Sequence, residues 1–121
     1  MGTIHAAFGD VTQPFLELAS KDVKVESLNP RLVRFVVIAA NVHQWMYQKP
    51  LVITSGNDGE HSIGSLHYKN AAVDLRSHDI TPTQQLSFLV VLVQLGQDNG
   101  IAVFDERVNP DKQHWHAEVS G

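Results

Sequence analysis

Two imidazoles separated by one residue, His114-Trp115-His116, stand close to the end of this 121-residue chain. On a strand, successive side chains alternate between faces, so both rings would project from the same side. A second group lies upstream, where His67 and Asp74 bracket the run Tyr68-Lys69-Asn70-Ala71-Ala72-Val73. Imidazole and carboxylate are the usual ligands of a catalytic zinc, which takes three protein groups and leaves one position open for a water of lowered pKa. His67, Asp74 and one histidine of the terminal pair satisfy that count. Spacing alone leaves open which of His114 and His116 ligates, the other being placed to contact substrate or to orient the water. Asp74 is flanked by Ala71, Ala72, Val73 and Leu75, an apolar setting in which an unpaired charge is costly. A metal or an arginine is therefore expected beside it, and Ala72, on the same face of the strand, leaves room for an ion.

The elements that must position these groups can be read from capping signals and apolar periodicity. Asn29 followed by Pro30 is an N-cap and a first-turn proline, after which Leu32, Val36, Ala39, Ala40 and His43 recur at helical spacing. This predicts a helix over 29–47. Thr81-Pro82-Thr83-Gln84 has the capping-box pattern and opens a second helix, whose Leu86, Leu89, Val90 and Val93 are expected to form its apolar face until Asp98-Asn99-Gly100 ends it. Short runs bounded by turn formers predict strands at 51–54, 71–75, 101–104 and 114–119. A weaker helix at 12–20 and a strand at 23–26 are expected before them. The resulting expectation is an α+β fold, a small antiparallel sheet with helices packed on one face and the metal site on the sheet. The irregular stretch 55–70 carries Gly56, Gly59 and Gly64 with His61 and His67, and loops of that length in compact domains are usually functional.

The block ITSGNDGEHSIGSLHYKNAAVDLR, followed by HWHAEV, resembles the zinc D-Ala-D-Ala carboxypeptidase and L-alanyl-D-glutamate endopeptidase superfamily, which shares its fold with the Hedgehog signalling domain. Ser65, His67, Ala72 and Asp74 match the superfamily motif S-x-H-x-x-G-x-A-x-D in register, and Asn70 replaces its glycine. Asparagine is the commonest non-glycine residue in the left-handed conformation such a position takes. The resemblance spans residues 51–119. It implies Zn2+ held by His67, Asp74 and His116, with His114 beside the metal-bound water, and a peptidoglycan stem peptide as substrate. Ser65 then reads as a hydrogen-bond partner rather than a nucleophile, and Ser65, His61 and Arg76 are the candidate substrate contacts. The family's general base has two candidates here. Asp111 lies three residues before His114, and Glu106 ends the strand preceding the His-x-His; Asp111 is preferred. One departure stands out. Where family peptidases often place an arginine for the substrate carboxylate, this chain has Asn57-Asp58-Gly59-Glu60, leaving Arg76 as the nearest substitute. That departure keeps open an alternative, a non-catalytic zinc-binding module or phage structural component of the same fold.

Composition bounds these readings. The length fits one domain covering residues 1–121. A formal net charge of -4 provides no basic patch, so nucleic acid is not expected as a partner. No stretch reaches transmembrane length, and MGTIHAAFGD lacks the basic start and apolar run of a signal peptide. Synthesis in the cytoplasm is the expectation, with no membrane partner. Short family members of this kind are often phage or prophage lysis enzymes, which would act on the cell wall after release. The chain has no cysteine, so a metal site must be built from histidine and carboxylate. Of the other histidines, His43 lies on the apolar face of the first helix and reads as a core residue, while His5 and His78 read as surface residues. Trp115 is expected to pack on the face opposite His114 and His116.

Overall fold

The computed structural model describes residues 15–25, 28–56, 71–108 and 113–120. In chain order its elements are β1 (Leu16–Leu18), α1 (Pro30–Tyr47), β2 (Leu51–Ser55), β3 (Ala72–Arg76), α2 (Pro82–Asn99), β4 (Ile101–Asp105) and β5 (His114–Val119). The fold is α+β, with one five-stranded sheet ordered β1-β2-β3-β5-β4. Its β2–β3, β3–β5 and β5–β4 pairs are antiparallel, whereas β1 runs parallel to β2, so the sheet is mixed rather than antiparallel. That edge strand falls where the sequence suggested a helix at 12–20. A three-residue strand paired to a partner some 35 positions away, Leu16 opposite Leu51, leaves no local periodicity to detect. Residues 23–25 form no strand either, although Val23 and Val25 are buried.

Both helices begin, and α2 also ends, on the expected chemistry. The Asn29 side chain accepts from the Arg31 N–H at 2.9 Å with Pro30 in the first turn. Thr81 and Gln84 form a reciprocal capping box, with Thr81 Oγ1 accepting from the Gln84 N–H at 3.2 Å and Gln84 Oε1 accepting from the Thr81 N–H at 3.0 Å. Each satisfies orphan donors at a helix start. Gly100 ends α2 at φ +71°, a left-handed conformation that costs glycine little.

Alternation along the strands sorts side chains into two sets. Leu16, Leu51, Ile53, Val73, Leu75, Ile101, Trp115 and Ala117 join Leu32, Phe35, Val36, Ala39 and Ala40 of α1 and Phe88 and Leu92 of α2 in one core. The buried face of α1 is the one its periodicity indicated, with Phe35 added. The buried face of α2 is shifted: Phe88, Leu92 and Gly96 turn inward, and of the expected face Leu89 packs partly buried against the core while Leu86, Val90 and Val93 are exposed. A methyl group on Gly96 would overlap the Ile101 carbonyl, so this glycine lets α2 lie directly against the start of β4. Trp115 is wholly buried and packs on Phe88 with ring centroids 5.5 Å apart, and Trp45 is 80% exposed. The Trp115 indole N–H finds no hydrogen-bond partner among the described residues. His43 is buried, as its helical position indicated, with its Nδ1 2.7 Å from the Lys49 carbonyl oxygen.

Candidate metal centre

Because Val73, Leu75, Trp115 and Ala117 point into the core, the residues between them must project from the opposite face. The β3–β5 register places Asp74 opposite His116, Arg76 opposite His114 and Ala72 opposite Glu118. On the other side of β5, Phe104 lies opposite His116, and the ladder continues past β4 through a Glu106 N–H to His114 carbonyl bond of 3.1 Å. Glu106 is thereby delivered beside His114. Ser77 clamps the far end of β3 to the start of β5, its N–H and hydroxyl both donating to the Gln113 carbonyl, at 3.3 and 2.6 Å. Gln113 itself takes a left-handed φ of 41° just before His114.

One face thus gathers Asp74, Glu106, His114, His116 and Glu118. His114 Nε2 lies 2.7 Å from Glu106 Oε1 and 3.5 Å from Asp74 Oδ1. A donor atom from each of Asp74, Glu106 and His114 falls within 4.8 Å of the others. Ligand atoms about 2.0 Å from a tetrahedral ion sit roughly 3.3 Å from one another. The separations around His114 straddle that value, so small side-chain adjustments suffice, and these three groups can hold a metal ion. The donor set of one imidazole and two carboxylates suits a first-row divalent cation and does not name one.

His116 is held differently. Its Nδ1 lies 2.8 Å from Asp74 Oδ1 and its Nε2 2.8 Å from Glu118 Oε1. Each ring nitrogen therefore faces a carboxylate oxygen at hydrogen-bond distance. Burial by itself lowers the pKa of this ring. The hydrogen bonds to Asp74 and Glu118, with the nearby charges of Asp74 and Glu106, outweigh burial and raise the pKa above its ordinary value. Phe104 walls the same side, its ring centroid 6.0 Å from that of His116.

No family model matches the chain, and no curated protein does.

The structure brings together three residues singled out in the sequence as ligands or water contacts, Asp74, His114 and His116, and adds Glu106, the second candidate for the base. His61, Ser65, His67 and Asp111 lie outside the described residues. Within the described part, the three-donor group contains His114, whereas the sequence reading assigned the ligand role to His116 and placed His114 beside the water. Arg76 shares the face but is engaged by Asp79, with Nε and Nη2 donating to its carboxylate at distances from 2.8 to 3.2 Å. Its guanidinium is accordingly held to a local partner. Glu118 escaped the sequence reading, although the alternation that pairs His114 with His116 places it on the same face.

Proposed function

We propose that this protein is a zinc-dependent peptidase that hydrolyses a peptidoglycan stem peptide, of the D-Ala-D-Ala carboxypeptidase or L-Ala-D-Glu endopeptidase type. The observation that carries the reading is the convergence of Asp74, Glu106 and His114 donor atoms within 4.8 Å, on the face where the sequence motif places His116. In this reading Asp74 would hold the ion with His116 and His67, leaving His114 and Glu106 beside its open position. A bound zinc would supply Lewis acidity toward a carbonyl oxygen and lower the pKa of a water at its open position. Glu106, about a third exposed at 35%, is the described carboxylate able to accept a proton at that locus and return it to the leaving amine. His114, whose Nε2 faces both carboxylates, donates to the oxyanion as the scissile carbonyl becomes tetrahedral. Phe104 offers an apolar wall to the substrate side chain. Release by phage lysis would bring such an enzyme to the cell wall.

The capture of Arg76 by Asp79 favours a second reading, a non-catalytic zinc-binding module or phage structural component, because the substrate carboxylate then lacks a cation among the described residues on this face. Metal content by mass spectrometry, coupled to release of amino groups from purified peptidoglycan, separates the two. The peptidase reading expects stoichiometric zinc and chelator-sensitive release. Asp74→Asn should lose both, and Glu106→Gln should keep most of the zinc while release falls by about 100-fold or more. Zinc without release would favour the binding module, and a metal-free wild type would remove the assignment.

A further inference from the structure

Glu118 sits on the metal-bearing face without a cross-strand cation. Its register neighbours are Ala72 on β3 and Ala102 on β4, two side chains too short to reach its carboxylate. Among the described residues its hydrogen-bond partner is His116 Nε2, at 2.8 Å. The other nitrogen of that ring faces Asp74 at the same distance. The imidazole is therefore gripped at both ends, and the two ends differ. Asp74 belongs to the group that can hold an ion, whereas Glu118 lies outside that group, its side chain 28% exposed.

We infer that Glu118 is a positioning residue of the centre: by accepting the Nε2–H of His116 it fixes the ring so that Nδ1 is the nitrogen presented to Asp74 and to an ion bound there. The inference rests on the metal-centre reading given above. Its physical basis is general. A histidine beside a metal needs one nitrogen tied by an outer partner, which sets the tautomer, holds the ring plane and makes the inner nitrogen more basic, and a carboxylate does this more strongly than a carbonyl. A surface pair of ordinary kind would instead be solvated and would have no effect on the opposite edge of the ring. Were an ion to take Nδ1, the Nε2–H bond to Glu118 would still fix the ring.

The test uses the full chain with zinc alone, competed against a chromophoric chelator, and with Co2+ as a spectroscopic substitute. Glu118→Ala should weaken zinc binding about 10–100-fold and shift the cobalt visible bands. Glu118→Gln retains a carbonyl acceptor for Nε2–H and should recover part of that loss. Circular dichroism of both variants should match the wild type. If the wild type takes up zinc and both variants bind it equally tightly with unchanged cobalt spectra, this inference is overturned while the metal centre stands. If the wild type binds no zinc, the centre and the inference fall together.

Discussion

His43 is buried and His116 half-buried, and their surroundings push the two imidazoles in opposite directions. His116 meets two carboxylates, whose hydrogen bonds outweigh burial and raise its pKa. His43 has Tyr47 and Phe88 edge-on at centroid distances of 5.3 and 4.9 Å, and its Nδ1–H donates to the Lys49 carbonyl. Burial lowers its pKa most, the Lys49 carbonyl and the charge of Asp79 oppose that, and the Lys49 ammonium adds to it; the net is a value below the ordinary 6.5. The unfolded chain therefore takes the proton more readily than the folded one. His43 contributes stability that is complete above pH 6.5 and is lost as the pH falls from there through the folded-state value. The slope from this one group is at most about 1.4 kcal/mol per pH unit. Urea titrations of the wild type and His43→Gln across the acid range should show a shallower decline in the variant; parallel curves would remove His43 as the cause. The sequence alone disclosed the core character of His43, because its spacing from Ala39 and Ala40 settles which side of a helix it occupies. It did not disclose Glu118, since a carboxylate at a strand end resembles any solvated charge until the ring beside it is seen to need a partner.

Helix α2 separates what periodicity can decide from what it cannot. Its start was legible because Thr81 and Gln84 act on backbone groups a few residues away. Its buried face was not, because LSFLVVLVQLG carries apolar residues on every side, and two stripes compete. Contact with β4 and with the Trp115 ring selects Phe88, Leu92 and Gly96, a choice made by tertiary packing. The two stripes predict different mutational costs. Phe88→Ala should cost about 3–5 kcal/mol by leaving a cavity against Trp115. Val90→Gln, on the exposed stripe, should change stability by no more than about 0.5 kcal/mol. Denaturant midpoints measure both, and a large loss at Val90 would contradict the observed orientation. Strand β1 failed for the opposite reason: its pairing with β2 is long-range, so nothing within residues 16–18 announces it.

For the whole molecule, the division of the sheet into a core-facing side and a side carrying Asp74, Glu106 and His114 would couple any bound ion to stability. The groups that would hold an ion come from β3, β5 and the end of β4, so binding ties together three strands of the folded state that an unfolded chain does not assemble. Zinc at a free concentration about 100 times its dissociation constant should add about 2.7 kcal/mol and raise the melting temperature by roughly 10 °C. Scanning calorimetry with zinc and with chelator tests this, and identical melting curves would exclude a metal centre shared by those strands. At this scale charge and composition gave the expectation of no nucleic-acid or membrane partner and of synthesis in the cytoplasm, and among the described residues no helix is long and apolar enough to cross a membrane. The two tryptophans give the chain an internal pair of lamps. Trp45, on the water side of α1, should emit at long wavelength and be extinguished by iodide. Trp115, sealed beneath the two histidines it separates, should emit to the blue and resist quenching. The blue component therefore reports on the layer directly under the face that carries Asp74, His114 and His116, and its response to added zinc can be followed without any label.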